Sequence, residues 1–146
     1  IFNDTAIDIK SILGDERKRV KISSEDQLDA DKKNLFLKIY SISKVGPEHG
    51  VSLNQMVDRI YKLLNNDVKI DIFDKKLSTA NYVSKPEYDE DHYLINNESE
   101  KNYIVSDGFP CLKKSDLAPM GIEKVTYSIR LESIKNFECD REKLLE

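Results

Sequence analysis

The sequence predicts an α/β fold: a mixed sheet with flanking helices, followed by a β-rich C-terminal extension. Three observations carry that expectation. Residues 1–45 alternate between β-rich runs and a short stretch with helix-starting chemistry, in the order strand, helix, strand. Between Ser52 and Leu64 apolar residues recur at spacings of three and four. Beyond Pro86 the pattern changes to short extended runs separated by turn residues.

Taken in order, residues 1–10 read as two β-rich runs around Asn3-Asp4, residues that tolerate left-handed backbone and favour tight turns, so a hairpin is expected. Gly14 to Arg19 is a charged connection, after which Val20 and Ile22 alternate with Lys21 as in a half-buried strand. Ser23 and Ser24 offer an N-cap with Asp26 and Gln27 in capping-box register, which predicts a short helix over Glu25 to Ala30. The run Leu35 to Ile42 is apolar enough for a central strand. Gly46-Pro47 and Gly50 break the chain. Ser52 then caps an amphipathic helix carrying Leu53, Met56, Val57, Ile60 and Leu64, and a weaker helix places Ile70, Phe73 and Leu77 on one face. Tyr93 to Ile95 and Asn102 to Val105 read as a second hairpin around the polar loop Asn96 to Glu100. Asp107-Gly108-Phe109-Pro110 is a turn, and Val125 to Leu131 alternates as a last strand.

Composition narrows the class. With 146 residues, 16.9 kDa, the chain is long enough for one domain with a core and short for two, so residues 1–146 are expected to form a single domain. Within it, residues 1–45 would hold the first strands and helix, and residues 46–146 a helical and β extension. A net charge of −4 argues against a general polyanion binder while leaving room for a local basic groove. Cys111 and Cys139 lie far apart without a second Cys or a His pair near either, which disfavours zinc and a disulfide framework and suits a reducing cytoplasm. No apolar run is long enough to span a bilayer, and no basic-then-apolar leader opens the chain, so a cytoplasmic protein without a membrane partner is expected. Ile1-Phe2 reads as the end of an apolar strand, which suggests an upstream segment.

The chemistry concentrates near the start. Asp8 and Lys10, one residue apart on a predicted strand, leave the same face. A carboxylate can hold Mg²⁺ while a neighbouring ammonium orients water and meets charge on a phosphate, and the carbonyl of Ile9 offers another ligand atom. An isolated DxK is more often an exposed ion pair. Here Ile7 and Ile9 are expected to fill the opposite face, with a turn before the strand and a capped helix and apolar strand after it.

In that context Ala6-Ile7-Asp8-Ile9-Lys10-Ser11 resembles the (D/E)xK strand of the PD-(D/E)xK nuclease superfamily, to which many restriction endonucleases belong. Further stretches carry the likeness: Val20 to Leu28, Val51-Ser52-Leu53 with Val57, Ser106 to Pro110, and Val125 to Ile129. Together they span nearly the whole chain and resemble the C-terminal part of bacterial PD-(D/E)xK motif proteins. The resemblance implies a restriction-endonuclease-like fold. It further implies Mg²⁺- or Mn²⁺-dependent cleavage of double-stranded DNA in a restriction or defence system, alongside a cognate DNA methyltransferase and with a homodimer open. Asp8 would bind metal with the Ile9 carbonyl, Lys10 would position water, and Gln27 would support the site. Two departures stand out. Asp8 occupies the acid position where Glu is commoner, and the first acid of the PD half is not visible. Asp4 is one candidate, although turn aspartates usually serve turns; the other places that acid upstream of Ile1, in a longer nuclease, and predicts weak Mg²⁺ binding and poor cleavage by residues 1–146 alone.

Several residues carry two readings. Gln27 can serve the metal and water or merely complete a capping box. Arg17, Lys18, Arg19 and Lys21 form the densest basic cluster, which can meet DNA phosphates or simply be a solvated connection. His92 with Asp89, Glu90 and Asp91 reads as a solvated acidic loop in preference to a metal site. The seven tyrosines are scattered as packing residues are, unlike a base-stacking platform. At the level of function, a nuclease-like fold that only binds DNA or supports assembly remains the alternative to the enzyme.

Overall fold

The computed structural model describes residues 4–14, 18–29 and 34–144, the side chains of Asn97 and Glu98 excepted. Strand β1 (Thr5–Leu13) runs parallel to β3 (Asn34–Val45) in unbroken register from Thr5 opposite Asn34 to Leu13 opposite Ile42. The sheet continues through β4 (His92–Ile104) to β6 (Glu138–Cys139), which pairs antiparallel with β4, so the sheet is mixed, in the order β1-β3-β4-β6. A separate antiparallel pair joins β2 (Arg19–Ile22) to β5 (Tyr127–Arg130). The architecture is α/β and consistent with a restriction-endonuclease-like fold.

The chain divides into two compact units, residues 1–42 with 96–146, and residues 43–95. In the first unit, the inward residues of the small sheet, Val20, Ile22 and Ile129, join Leu37 and Ile39 of β3 and Tyr103 of β4 in one buried cluster, completed by Leu28, Phe109 and Ile134. Each such aliphatic side chain contributes about 1.5–3 kcal/mol by leaving water. The stretch Leu35 to Ile39 is buried at every position, as its near-continuous apolar run requires of a strand covered on both faces. The exception in character is Lys38, whose ammonium lies 2.6 Å from Glu100 Oε1 and over the Tyr40 ring. Burial pulls Lys38 down, but its hydrogen bonds to Glu100 and Tyr40 outweigh that and hold its pKa above the ordinary value.

In the second unit, α1 (Leu53–Leu63) starts with a capping box: Ser52 Oγ accepts from Gln55 N, and Gln55 Oε1 accepts from Ser52 N. Helix α2 (Asp67–Thr79) is capped by Asn66, whose side chain accepts from Lys69 N. Tyr61 packs edge-on to Phe73, 5.0 Å between ring centres, and donates its hydroxyl to Asp74. Gly50 stands where a side chain cannot: a Cβ there would come within 2.5 Å of Val45 Cγ2 and 3.0 Å of Tyr93 N, beside the antiparallel bridge of Val51 with Tyr93.

Several expectations change. Residues 25–28 form hydrogen-bonded turns and no helix, and Ala30 lies outside the described residues. The side chains that would cap a helix serve the turns instead: Ser24 Oγ accepts from Asp26 N, and Gln27 Oε1 accepts from Ser23 N and Lys10 Nζ. The second hairpin is absent: β4 runs through Asn96 to Glu100 without a break, because polar side chains there, such as Glu100, find partners on the sheet. Strand β5 is not the last, since β6 follows it. Ile9 does project opposite Asp8, but it is 61% exposed and fills no core. The expected hairpin at Asn3-Asp4 falls mostly outside the described residues. A short helix, α3 (Lys114–Leu117), lies between β4 and β5. Among the described residues no helix is long and apolar enough to cross a membrane.

Candidate active site

β1 sets the first two residues. The strand alternation sends Asp8, Lys10 and Ile12 to the face whose register partners in β3 are Leu37, Ile39 and Ser41. Leu37 and Ile39 belong to the core, so Asp8 and Lys10 stand at its margin, with side-chain exposures of 19% and 14%. These values leave both groups largely dehydrated yet reachable. Gln27, in the turn after β2, comes to the same place: its Oε1 accepts from Lys10 Nζ at 2.7 Å and from Ser23 N at 2.9 Å. One amide oxygen thus fixes a local backbone N–H and the catalytic candidate together. No helix follows for Gln27 to cap; its side chain ties the local backbone at Ser23 and holds the Lys10 ammonium.

Lys10 Nζ lies 3.3 Å from Asp8 Oδ2, an ion-pair separation without hydrogen-bond alignment. That oxygen is buried and has no hydrogen-bond partner among the described residues. Burial pushes the Asp8 carboxyl pKa above its ordinary range, and the opposing pull of the Lys10 ammonium does not cancel it. A dehydrated carboxylate with an open lone pair is a group that a cation would stabilise. The residues present fit a divalent ion in that sense: Mg²⁺ is commonly held by one or two carboxylates with the remaining positions left to water and substrate phosphate. Among the described residues no cluster of three His, Cys, Asp or Glu side chains forms a complete cage.

The other candidates separate. Asp4 is exposed in the turn before β1, where its carbonyl accepts from Asn34 N at 3.1 Å. The acidic loop scatters its carboxylates: Asp89 accepts from Ser52 Oγ and Asn54 Nδ2, whereas Asp91 pairs with Lys44 at 2.5 Å. Arg17 lies outside the described residues. Lys21 is exposed on β2 opposite Ser128. Lys18 and Arg19 line a cavity of about 710 Å³ together with Lys101, Arg130, Ile12 and Ile39. Ile39 is the register partner of Lys10, and Ile12 lies two residues along the same face, roughly 7 Å further on, so the cavity adjoins the Lys10 position.

Sequence reading missed Lys101 and Arg130, because nothing in a lone chain tells which strand will face Arg19. It also missed Glu25, a buried carboxylate (6% exposed) whose two oxygens accept from Lys124 N at 3.0 Å and Val125 N at 2.8 Å. Lys124 adopts a left-handed φ of 58°, uncommon for a residue with a side chain, and Glu25 anchors that turn just before β5. Hydrogen bonds from its own backbone N–H and that of Val125 hold the Glu25 carboxyl below its usual range.

A family model described as "Putative PD-(D/E)XK family member" (DUF4420) matches residues 2–132. No curated protein and no solved structure matches the chain.

Proposed function

The chain belongs to the DUF4420 family, described as a PD-(D/E)XK member, and from that premise we propose that it hydrolyses DNA phosphodiester bonds with Mg²⁺ or Mn²⁺ at Asp8, Lys10 and Gln27. The observation that carries the reading is the dehydrated oxygen of Asp8, without a hydrogen-bond partner among the described residues, beside an ammonium held in place by an amide. Asp8 and the carbonyl of Ile9 would hold the ion, which when bound supplies Lewis acidity toward the phosphate and a more acidic water. Lys10 offers its remaining N–H to the attacking water or to a phosphate oxygen. Gln27 keeps that ammonium from swinging into solvent, so its direction is set before substrate arrives. Low exposure strengthens each of these interactions relative to open water.

A second reading is a nuclease-like module that binds DNA without cutting it, favoured by the lack of a complete three-ligand cluster among the described residues. Cleavage of plasmid DNA under titrated Mg²⁺ and Mn²⁺ separates the two. The enzyme predicts metal-dependent cutting that falls to background in Asp8→Ala and in Lys10→Ala, with melting temperatures close to the parent's. Metal-independent binding with no cutting by the parent protein would favour the module. Action within a defence system beside a methyltransferase, or as a homodimer, belongs to the same proposal and is tested by co-purification from the native host.

A further inference from the structure

The cavity beside Lys10 has a composition that folding alone does not explain. Antiparallel register places Arg19 of β2 directly opposite Arg130 of β5. Like charges facing each other across a strand pair destabilise it. Nothing nearby offsets them: among the described residues neither arginine forms an ion pair, nor does Lys18. Lys101 holds Glu138 only loosely, at 3.8 Å. Among the described residues Glu132 is the acid lining this space, and it forms no ion pair with any of the four cations. Ile12, Ile39 and Leu131 give the lining apolar surface, beside the neutral polar Ser41, Asn96 and Ser99.

We propose that this cavity is a clamp for a phosphodiester of the nucleic-acid strand next to the one engaged at Asp8 and Lys10, with Arg19 and Arg130 as its two prongs. The inference rests on the nuclease reading above and adds the residues that grip the backbone. A phosphate between two guanidinium groups turns the repulsion of the facing arginines into paired, bidentate contacts. The apolar part of the lining suits the sugar face of the nucleotide, and Lys18 and Lys101 add positive charge. A shared face and adjoining register connect clamp and catalytic candidates along one strand of substrate. The overall charge of −4 makes such a local concentration of cations more telling, since the rest of the surface repels DNA.

The test measures binding of fluorescent duplex and single-stranded oligonucleotides by anisotropy, without divalent metal, across a series of KCl concentrations. The parent, Arg19→Gln/Arg130→Gln and Arg19→Lys/Arg130→Lys are compared. Each phosphate contact contributes about 0.9 to the salt slope on duplex and about 0.7 on a single strand. The double Gln variant should therefore bind roughly tenfold or more weakly, independent of sequence, with a slope smaller by about one on duplex, since both prongs grip one phosphate. The double Lys variant should keep most of the slope. With the facing charges gone, the Gln variant's melting temperature should equal or exceed the parent's, which also reports that it folds. Salt-sensitive binding that the Gln variant retains in full overturns the clamp and leaves the nuclease reading standing. No salt-sensitive binding by the parent overturns both.

Discussion

Gln27→Ala isolates the positioning of Lys10 from the rest of the site. The substitution removes an acceptor 2.7 Å from a part-buried ammonium and leaves Lys10 with Asp8 alone, at 3.3 Å and without hydrogen-bond alignment. Hydrogen bonds to charged groups are worth about 1.5–3 kcal/mol net. If that energy serves to hold Lys10 toward the reacting phosphate, its loss slows cleavage by roughly 10- to 100-fold, at about 1.4 kcal/mol per factor of ten. The second bond of Gln27, to Ser23 N, is exposed, so water replaces it and the cost to stability stays below about 1 kcal/mol. Gln27→Glu retains an acceptor for both donors and should keep most of the activity. Single-turnover cleavage with saturating Mg²⁺ gives the rates, and thermal melting gives the stability. Asp8-dependent cleavage by the parent together with a Gln27→Ala rate within twofold of it would show that Lys10 needs no such support. Equal loss in Gln27→Ala and Gln27→Glu would refute the acceptor argument as well.

Two further predictions concern pH. Burial first, and then the charge of Glu138, pushes the Tyr103 phenol up to about 12 from an ordinary 10.0. Because the folded value is the higher one, the stabilisation is complete below pH 10 and fades between pH 10 and 12. Tyr103→Phe should remove that alkaline loss, on the order of 2 kcal/mol, in urea melts. Glu25 has the opposite sign: its folded pKa is depressed, so its contribution is present above the ordinary value near 4.5 and disappears as pH falls through the lower folded value. Glu25→Ala should therefore lower the melting temperature at pH 7 and approach the parent's near pH 2, whereas a deficit constant with pH would mean that the carboxylate's charge is irrelevant.

The parts legible in the sequence were those whose cause is local. Leu35 to Ile39 announces a buried strand by its unbroken apolar run, and Ser52 with Gln55 announces α1 by its cap. Asp8 and Lys10 share a face because any strand would place them so. Lys10 and Gln27 meet across 17 positions, and that contact depends on the turn over residues 25–28, which the capping pattern misrepresents as a helix. The long-range partners were not legible: Glu25 binds the backbone of residues 124 and 125, Arg19 faces Arg130, and Lys38 finds Glu100 in a segment whose polarity suggested a loop. Each follows from strand pairing, and pairing is fixed by the assembled core.

Two lysine–carboxylate pairs occupy opposite faces of the same sheet, and their difference is the better argument for where function lies. Lys38 stands on the face opposite Asp8, since its register partner on β1 is Ile9. There the pair closes on itself: Glu100 Oε1 takes Lys38 at 2.6 Å and Asn102 Nδ2 at 3.3 Å, and those hydrogen bonds hold the Glu100 carboxyl below its ordinary value despite burial. The amide oxygen of Asn102 has no hydrogen-bond partner among the described residues, but it is neutral. A structural ion pair is expected to look like this, because an incomplete one is costly to bury. At Asp8 the balance is reversed. Lys10 is farther away, its ammonium is shared with Gln27, the carboxylate oxygen facing it has no hydrogen-bond partner among the described residues, and burial raises the pKa. A second positive charge would complete this pair as Asn102 and Tyr40 complete the other. The fold has tolerated the deficit at Asp8 while removing it at Glu100, which is the asymmetry that a cation-dependent site on one face of the sheet requires.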